Sequence, residues 1–550
     1  MRRLSFLLFL FAVLVLAFAA RVANLRDIFV DGAIYFVDAD CYSRMTRVRM
    51  ILDRPGTIVR EHTFENAPQG TTPHTTAPMD YLIVASKWVC DGALRLVDWK
   101  GTSVLRGQTV DFAGAIVSLI LGLAACAWVA IWARIMELGA GRSTALSGSA
   151  PRPWPRGSWA AAPFFFAISP IIVHGTSLGR PDHQSLLVLL LAIALGAECR
   201  LARTSSLRWM LLSGAAWGLA LWVSFYEPLI LLVAVVLTWL ICAPRRFFSR
   251  DRLAALYIFA AICLLAWLIE GWRIRKPESD MLIFLANWNQ TIGELKRLRL
   301  TEPTLYEWLG WGCLASPVLL GVAMRYYRRA FPLLAVLLIL FGLTCWQLRW
   351  GYFLALGYAM TLPWQLAILR RPWIAWFVFI LSLWPLFREW DQRLFPDDRA
   401  RARRAQHQIE STQLRNLAEE LREREPGQDA IFLAPWWHSP AIVYWSGLPG
   451  VAGSSHESLA GIVDSARVYL ATAPDAMTET LRARKVRWLI AADPDGVVST
   501  SAKLLDTHAP KETVASLLAQ QPHSVAPFLQ PVFANDFFKL FMVDETKFPQ

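Results

Sequence analysis

In "YFVDADCYSR" two carboxylates, Asp38 and Asp40, stand two apart just beyond an apolar N-terminal run. Oxygen ligands at that spacing suit a hard divalent cation, although the pair alone equally describes two solvated loop charges. "NAPQGTTPHTTAPMDY" carries His74 at the centre of a Pro- and Thr-rich loop, where a lone imidazole is most simply solvated. "GRPDHQ" sets Asp182, His183 and Gln184 in a Gly-Pro turn between two apolar runs. Ionisable groups at the mouth of two membrane spans are costly unless they bind or react, and this trio offers oxygen and nitrogen ligands to Mn2+ or Mg2+. "NWNQTIGELKRL" contributes Glu294, by composition one loop acid among several. "CWQLRWGYF" places Arg349 among aromatic residues at a span end. Snorkelling explains most such arginines, but a fixed guanidinium also holds phosphate by paired hydrogen bonds.

The elements that must position these groups are membrane helices. Of 550 residues, 55% are apolar, with 26 Trp and 30 Phe, more than a soluble domain needs. Nearly charge-free runs fall near 4–20, 112–133, 158–178, 185–201, 209–226, 228–244, 253–269, 308–324, 330–348, 350–369 and 372–387, which predicts eleven spans. The run Leu4–Ala20 follows Arg2-Arg3 and ends in small residues like a signal-peptide core; with so many later spans we read it as an uncleaved first helix. The net charge of +12 resembles a nucleic-acid footprint until the charges are placed. Arg2-Arg3, then Arg134, Arg142, Arg152 and Arg156, then Arg200, Arg203 and Arg208, then "PRRFFSRDR", "RYYRRA" and "LRRP" occupy alternate loops. An inside N-terminus puts every one in the cytoplasm, so the charge reports topology and excludes nucleic acid as partner. The first long loop, "GRPDHQ", "SFYEP", residues 270–307, "QLRWGY" and everything past about 388 then share the outer face.

Residues 1–388 thus read as a transmembrane domain with external loops at 21–111 and 270–307, and 389–550 as a soluble external α/β domain of ordinary size. "APMDYLIVASKWVCDGALRLV" has helical apolar spacing but carries Asp80, Lys87, Asp91 and Arg95, which predicts a helix lying along the membrane rather than across it. "DDRARARRAQHQIESTQLRNLAEELREREPG" predicts a charged helix closed by Pro-Gly, and "DAIFLAP" and "VRWLIAADPDG" predict buried strands. The eight Cys lie mostly in apolar runs; Cys41 and Cys90 are external, with no spacing that argues for a disulfide.

Taken in order, these motifs resemble the catalytic subunit of oligosaccharyltransferase, the polyprenyl-diphosphooligosaccharide–protein glycosyltransferase, most closely its single-subunit archaeal form. That family has an Asp soon after the first span, matched by Asp40, and a "G…H-x-P-P-L" loop whose His corresponds to His74 in "QGTTPHTTAPMDYL". Its "G-x-x-D-H-H" turn is matched by "GRPDHQ" through Asp182 and His183, and its "T-I-x-E" motif is intact as Thr291-Ile292-Gly293-Glu294. Arg349 matches an Arg in a late span, and Trp436-Trp437 begin the counterpart of "W-W-D-Y-G". The resemblance covers about residues 1–500, and the ordered set is specific although each motif is short.

The resemblance implies a GT-C membrane glycosyltransferase that moves a glycan from a polyprenyl-diphosphate lipid to a protein acceptor, with Mn2+ or Mg2+ as cofactor, the membrane lipid as surroundings and no obligate subunit. It implies an inner-membrane protein with its C-terminal domain on the extracytoplasmic side. Asp40 and Glu294 would engage the acceptor amide; Asp40, His74 and Asp182, with His183 or Gln184, would hold the cation; Arg349 would face the diphosphate. Trp436, Trp437 and position 438 would bind the acceptor. Two residues depart from the pattern. Gln184 replaces a metal-ligating residue, and "WWHSP" puts His438 where the family has an Asp that accepts from the acceptor's Ser/Thr hydroxyl. A neutral imidazole accepts through one nitrogen whereas an imidazolium only donates. That predicts an altered requirement at the +2 position, worsening as pH falls through the His titration. Two further classes stay open: a GT-C enzyme that moves one sugar from a polyprenyl monophosphate to a lipid, polysaccharide or hydroxyl acceptor, and a non-catalytic transporter or scaffold. A transporter would carry polar groups at mid-span, where these runs have almost none.

Overall fold

The computed structural model describes residues 2–96, 107–140, 157–202, 204–249, 252–271, 281–326, 331–369, 371–427, 429–523 and 525–549. Arg142, Arg152, Arg156, Arg203 and parts of "RYYRRA" and "LRRP" lie outside the described residues. The chain forms two compact units. One comprises Met1–Arg26, Ala113–Gly271 and Lys296–Asp397; the other comprises Asp27–Phe112, Trp272–Leu295 and Asp398–Gln550.

The first unit is helical throughout, and each apolar run of the sequence is a helix or a broken helix in it. Among the described residues four helices are long and apolar enough to cross a membrane: Leu4–Arg21, Thr109–Glu137, His183–Leu201 and Arg252–Glu270. Ser158–Ile168, Leu207–Val223, Tyr226–Cys242, Phe331–Trp346 and Pro372–Ser382 are apolar but shorter. Three of the expected spans are interrupted: 372–387 at Leu383, and two more for evident local reasons. The run at 158–178 breaks at Ser169, because Pro170 cannot donate a backbone N–H and therefore starts a new helix, Pro170–Gly175. Pro303–Leu309 and Gly312–Arg325 meet at 60°. Gly310 turns this corner at φ +76, where a Cβ would come within 2.5 Å of the Ser382 carbonyl oxygen, so only glycine serves there. Gly351–Leu366 is buried on every side, the mark of a core helix. Trp132, Trp217, Trp239, Trp350 and Trp364 fill the space around it and its neighbours.

The second unit is assembled from three separated stretches of chain. Helix Ala39–Asp53 starts at Asp38, whose Oδ1 accepts the Cys41 N–H at 3.0 Å and caps the first turn. It packs on helix Ala77–Leu96, the segment expected to lie along the membrane. Lys87 and Asp91 of that helix pair at 2.5 Å, whereas Asp80 points inward and is fully buried. Asp80 receives Arg44 at 2.8 Å and Arg47 at 2.6 Å, and Arg47 reaches on to His62, whose other nitrogen bonds Glu65. A charge that sequence reasoning counted only as a mark of an interfacial helix is therefore the centre of a buried ion network.

A short antiparallel pair, β1 (Phe29–Val30) and β2 (Ala33–Ile34), precedes these helices. The four-stranded sheet runs in the order β3-β4-β6-β5, from β3 (Ile431–Leu433), β4 (Val486–Ala491), β5 (Leu529–Ala534) and β6 (Lys539–Val543). β3 and β4 are the two strands the sequence predicts, and they pair in parallel across helices Ser439–Ser446 and Leu459–Leu470. The antiparallel partners β6 and β5 complete the sheet. The charged segment forms helix Asp398–Arg424, which buries Leu414, Leu417, Ala418 and Leu421. None of the eight cysteines forms a disulfide among the described residues, Cys41 and Cys90 included.

Candidate active-site residues

In the helical unit the "GRPDHQ" turn is the start of helix His183–Leu201. Asp182 is its N-cap: Oδ1 accepts the His183 N–H at 2.7 Å and lies 2.7 Å from Nδ1 of the same residue. An Nδ1–H donated to that carboxylate leaves Nε2 of His183 as the lone pair for a ligand. The turn is pinned from Thr109–Ala140: Gly179 N–H bonds Ala115 O at 2.8 Å, Ser118 Oγ bonds the Arg180 carbonyl, and Ser118 meets Ser185 at 2.9 Å. Arg180 also donates to Gln184 Oε1 at 3.2 Å, and its other terminal nitrogen is 3.2 Å from His174 Nε2. The Gln184 carbonyl, the atom a cation would need, is thus engaged by a guanidinium. Arg349 forms an ion pair with Glu227 at the start of helix Tyr226–Cys242, and Glu227 is almost wholly buried. "SFYEP" offered this acid to the sequence reading, but nothing local marks it as the arginine's partner.

In the second unit Asp38 and Asp40 have separate jobs. Asp38 caps its helix, while Asp40 sits in the first turn with its side chain exposed. His74 is exposed on its loop; Nδ1 lies 2.8 Å from Oε1 of Glu457, and its backbone N–H donates to the same oxygen at 2.8 Å. His456 stacks on His74 with ring centroids 5.0 Å apart and brings Nε2 to 3.4 Å from Glu457 Oε1. Burial would raise the Glu457 pKa, but His74 first and then His456 outweigh it and hold the carboxyl down at about 2. His456 and Glu457 escaped sequence reasoning; the signal was a His-Glu pair directly after the "GSS" turn.

The Thr291-Ile292-Gly293-Glu294 segment ends helix Leu282–Thr291, with Thr291 Oγ1 bonded back to Trp288 O at 2.7 Å. Glu294 is half-buried in the short helical turn that follows. Ile292 and Trp436 pack on one apolar cluster formed by Trp288, Leu459, Ile462, Ala466 and Leu504. Trp288 and Trp436 meet edge-on at 5.8 Å and Trp436 and Trp437 at 5.6 Å. A small cleft lies beside them, lined by Trp436, Trp437, Ile462, Ser465, Tyr469 and Ser501. The indole N–H groups of Trp288 and Trp436 are buried there with no hydrogen-bond partner among the described residues. His438 precedes helix Ser439–Ser446, its ring edge-on to Phe538 at 5.2 Å and its Nε2 3.8 Å from Glu410 Oε1. Burial, aided by the positive field of His407, lowers its pKa to about 4. The expected titration near neutrality is therefore displaced to acid, because a desolvated imidazolium is disfavoured.

By sequence, no family model and no curated protein matches the chain. Solved structures do match it. The Archaeoglobus fulgidus oligosaccharyltransferase complexed with zinc and sulfate is 14% identical with a TM-score of 0.63, over 88% of this chain and 68% of that one. The AglB oligosaccharyltransferase of the same organism, bound to an inhibitory peptide and a dolichol phosphate, gives 14% and 0.62, over 89% and 70%. ArnT from Cupriavidus metallidurans, bound to undecaprenyl phosphate, gives 13% and 0.54, over 99% of both chains. At these identities the likeness is one of fold: a polytopic α-helical membrane protein of GT-C type with a C-terminal α/β region.

Proposed function

We propose that the protein is a membrane glycosyltransferase that moves a glycan from a polyprenyl-diphosphate lipid to a protein acceptor, an asparagine amide foremost. The observation that carries this reading is the joint packing of Ile292 and Trp436 on one cluster: two motifs of the family resemblance, far apart in sequence, share a surface. The two indole N–H groups without partners beside them suit an acceptor oxygen, since a buried donor left unpaired costs about 1–3 kcal/mol.

Amide nitrogen is a weak nucleophile because its lone pair is delocalised into the carbonyl. Asp40 and Glu294 would each accept one amide N–H, weakening that conjugation as the nitrogen bonds the sugar carbon and the diphosphate oxygen departs; one carboxylate then carries the proton away. Arg349, held by Glu227, would present a fixed positive charge to the leaving diphosphate. A divalent cation, Mn2+ or Mg2+, would supply further neutralisation of that charge. Carboxylate and imidazole donors fit such an ion, and of the set the resemblance implies, Asp40, Asp182 and His183 remain. His74 is turned to Glu457 and Gln184 to Arg180, so neither enters this set.

Mass spectrometry of glycopeptides from cells with and without the gene tests the reading: glycosylated Asn peptides are expected to vanish with it. A second reading, transfer of one sugar from a polyprenyl monophosphate, is favoured by His438 in place of a hydroxyl-binding acid and by the end-to-end match to ArnT. Loss of a modified lipid or polysaccharide with an unchanged glycopeptide map selects it.

Two expected outcomes belong with this proposal. We place the C-terminal region outside the membrane, as the arginine bias requires. With the native cysteines replaced, Asn416→Cys should react with an impermeant thiol reagent added from outside and Phe248→Cys should not; the reverse labelling refutes the topology. His438 is neutral down to about pH 4, so the ratio of Asn-x-Thr to Asn-x-Ala turnover should stay flat between pH 8 and 5. His438→Asp should raise that ratio roughly 5–150-fold, the equivalent of one hydrogen bond to the hydroxyl. A ratio that falls twofold or more across that window removes His438 from acceptor binding as a neutral group.

A further inference from the structure

Among the described residues one group of three metal-ligating side chains brings its ligand atoms within 4.8 Å of one another: His74, His456 and Glu457. Nδ1 of His74 and Nε2 of His456 stand 2.8 and 3.4 Å from Oε1 of Glu457. In a tetrahedral site with bonds of 2.0–2.2 Å, adjacent ligand atoms are about 3.3–3.6 Å apart. The 3.4 Å spacing matches such an edge, and the 2.8 Å spacing is shorter than it by about 0.5–0.8 Å, within reach of side-chain rotation. Two imidazole nitrogens with one carboxylate suit Zn2+, whereas Mg2+ and Ca2+ want oxygen ligands.

Two other features point to an ion. Oε2 of Glu457 is buried and has no hydrogen-bond partner among the described residues, a state that asks for an explanation in a carboxylate. The ligands are also oriented from behind: the His74 backbone N–H holds Oε1 at 2.8 Å, and Thr71 Oγ1 donates to the Glu457 carbonyl at 3.0 Å. Such outer hydrogen bonds fix ligand orientation at metal sites.

We propose that His74, His456 and Glu457 bind a Zn2+-class cation, separate from the one assigned to the lipid diphosphate, that clamps the loop around His74 to the turn His456–Ser458. This goes beyond the functional reading and does not depend on it.

The test reads binding directly. Full-length protein in detergent, stripped with chelator and dialysed against micromolar Zn2+ with excess Mg2+, should retain by elemental analysis one equivalent of zinc that Glu457→Gln and His456→Ala each lose. Asp40→Asn and Asp182→Asn should keep it. With Co2+ in place of Zn2+, the visible absorption of a four-coordinate site should appear in the wild type and be absent from Glu457→Gln. His456 is 43% exposed, so its variant should fold even where the Glu457 variant does not. No zinc on the wild type, or a full equivalent on His456→Ala, overturns the proposal; so does loss of that equivalent in Asp40→Asn or Asp182→Asn. A protein that transfers no glycan still reports on the site.

Discussion

Asp182→Asn is expected to lower transfer on the order of 10^2–10^3-fold, the scale of losing one charge-stabilising group from an active site, and to leave the protein folded. Asn is the informative replacement because Asp182 has two tasks. As N-cap it accepts the His183 N–H at 2.7 Å, and Asn caps a helix about as well as Asp. As carboxylate it would supply negative charge to the proposed cation, which a neutral Asn does not, although Asn Oδ1 can still accept from the His183 ring. Asp40→Asn should act similarly, since Asp38, not Asp40, caps helix Ala39–Asp53. Turnover of a lipid-linked glycan by purified variants, before and after chelator washing, is the measurement. Near-normal rates in both variants after chelation would sink the metal assignment.

The largest stability effect is expected at Asp80. Removing its carboxylate in Asp80→Ala takes from Arg44 and Arg47, 6% and 1% exposed, the buried counter-charge they share. Breaking such a buried pair from one side costs about 3–5 kcal/mol, which for a unit of this size lowers the melting midpoint by roughly 6–20 °C. The loss should be partly recovered by adding Arg44→Met and Arg47→Met, because what destabilises is the stranded charge more than the missing bond. Thermal unfolding in detergent decides. A single variant that melts within a degree or two of wild type would mean that water reaches the arginines.

These two residues illustrate what could be read from the sequence. The apolar runs are long, locally coded and nearly free of charge, so every expected span emerges as a helix or as helices parted at Ser169, Gly310 or Leu383. Helix Asp398–Arg424 was legible from a charged run closed by Pro-Gly, and strands β3 and β4 from short apolar runs that end in turn residues. The Asp182-His183 turn stood out because charge between apolar runs needs a cause, and it is the beginning of a helix. What stayed hidden depends on partners distant along the chain. Glu457 meets His74 across 383 residues, and Arg349 meets Glu227 across 122. Asp80 was read only as one charge of an interfacial helix, because no local pattern shows that two arginines one helix away will enclose it. The pH response of His438 was misplaced because burial, which sets it, is a tertiary property.

The three-part makeup of the second unit bears on how the protein is made. Its first part, residues 27–112, emerges from the ribosome roughly 300 residues before the segment that begins at Asp398. At about 5–20 residues per second the wait is roughly 15–60 s. During it, the backbone oxygens of Asn66 and Ala67 have yet to meet Arg484, and Phe64 and Ala67 have yet to bond Gly450. Arg44, Arg47 and Asp80 can find one another early, since all three lie within that first part. It also follows that residues 398–550 expressed alone would lack the first-loop segment that packs on them and are a poor choice of fragment. A stop codon before Gly450 deprives Phe64, Asn66 and Ala67 of all of these late partners.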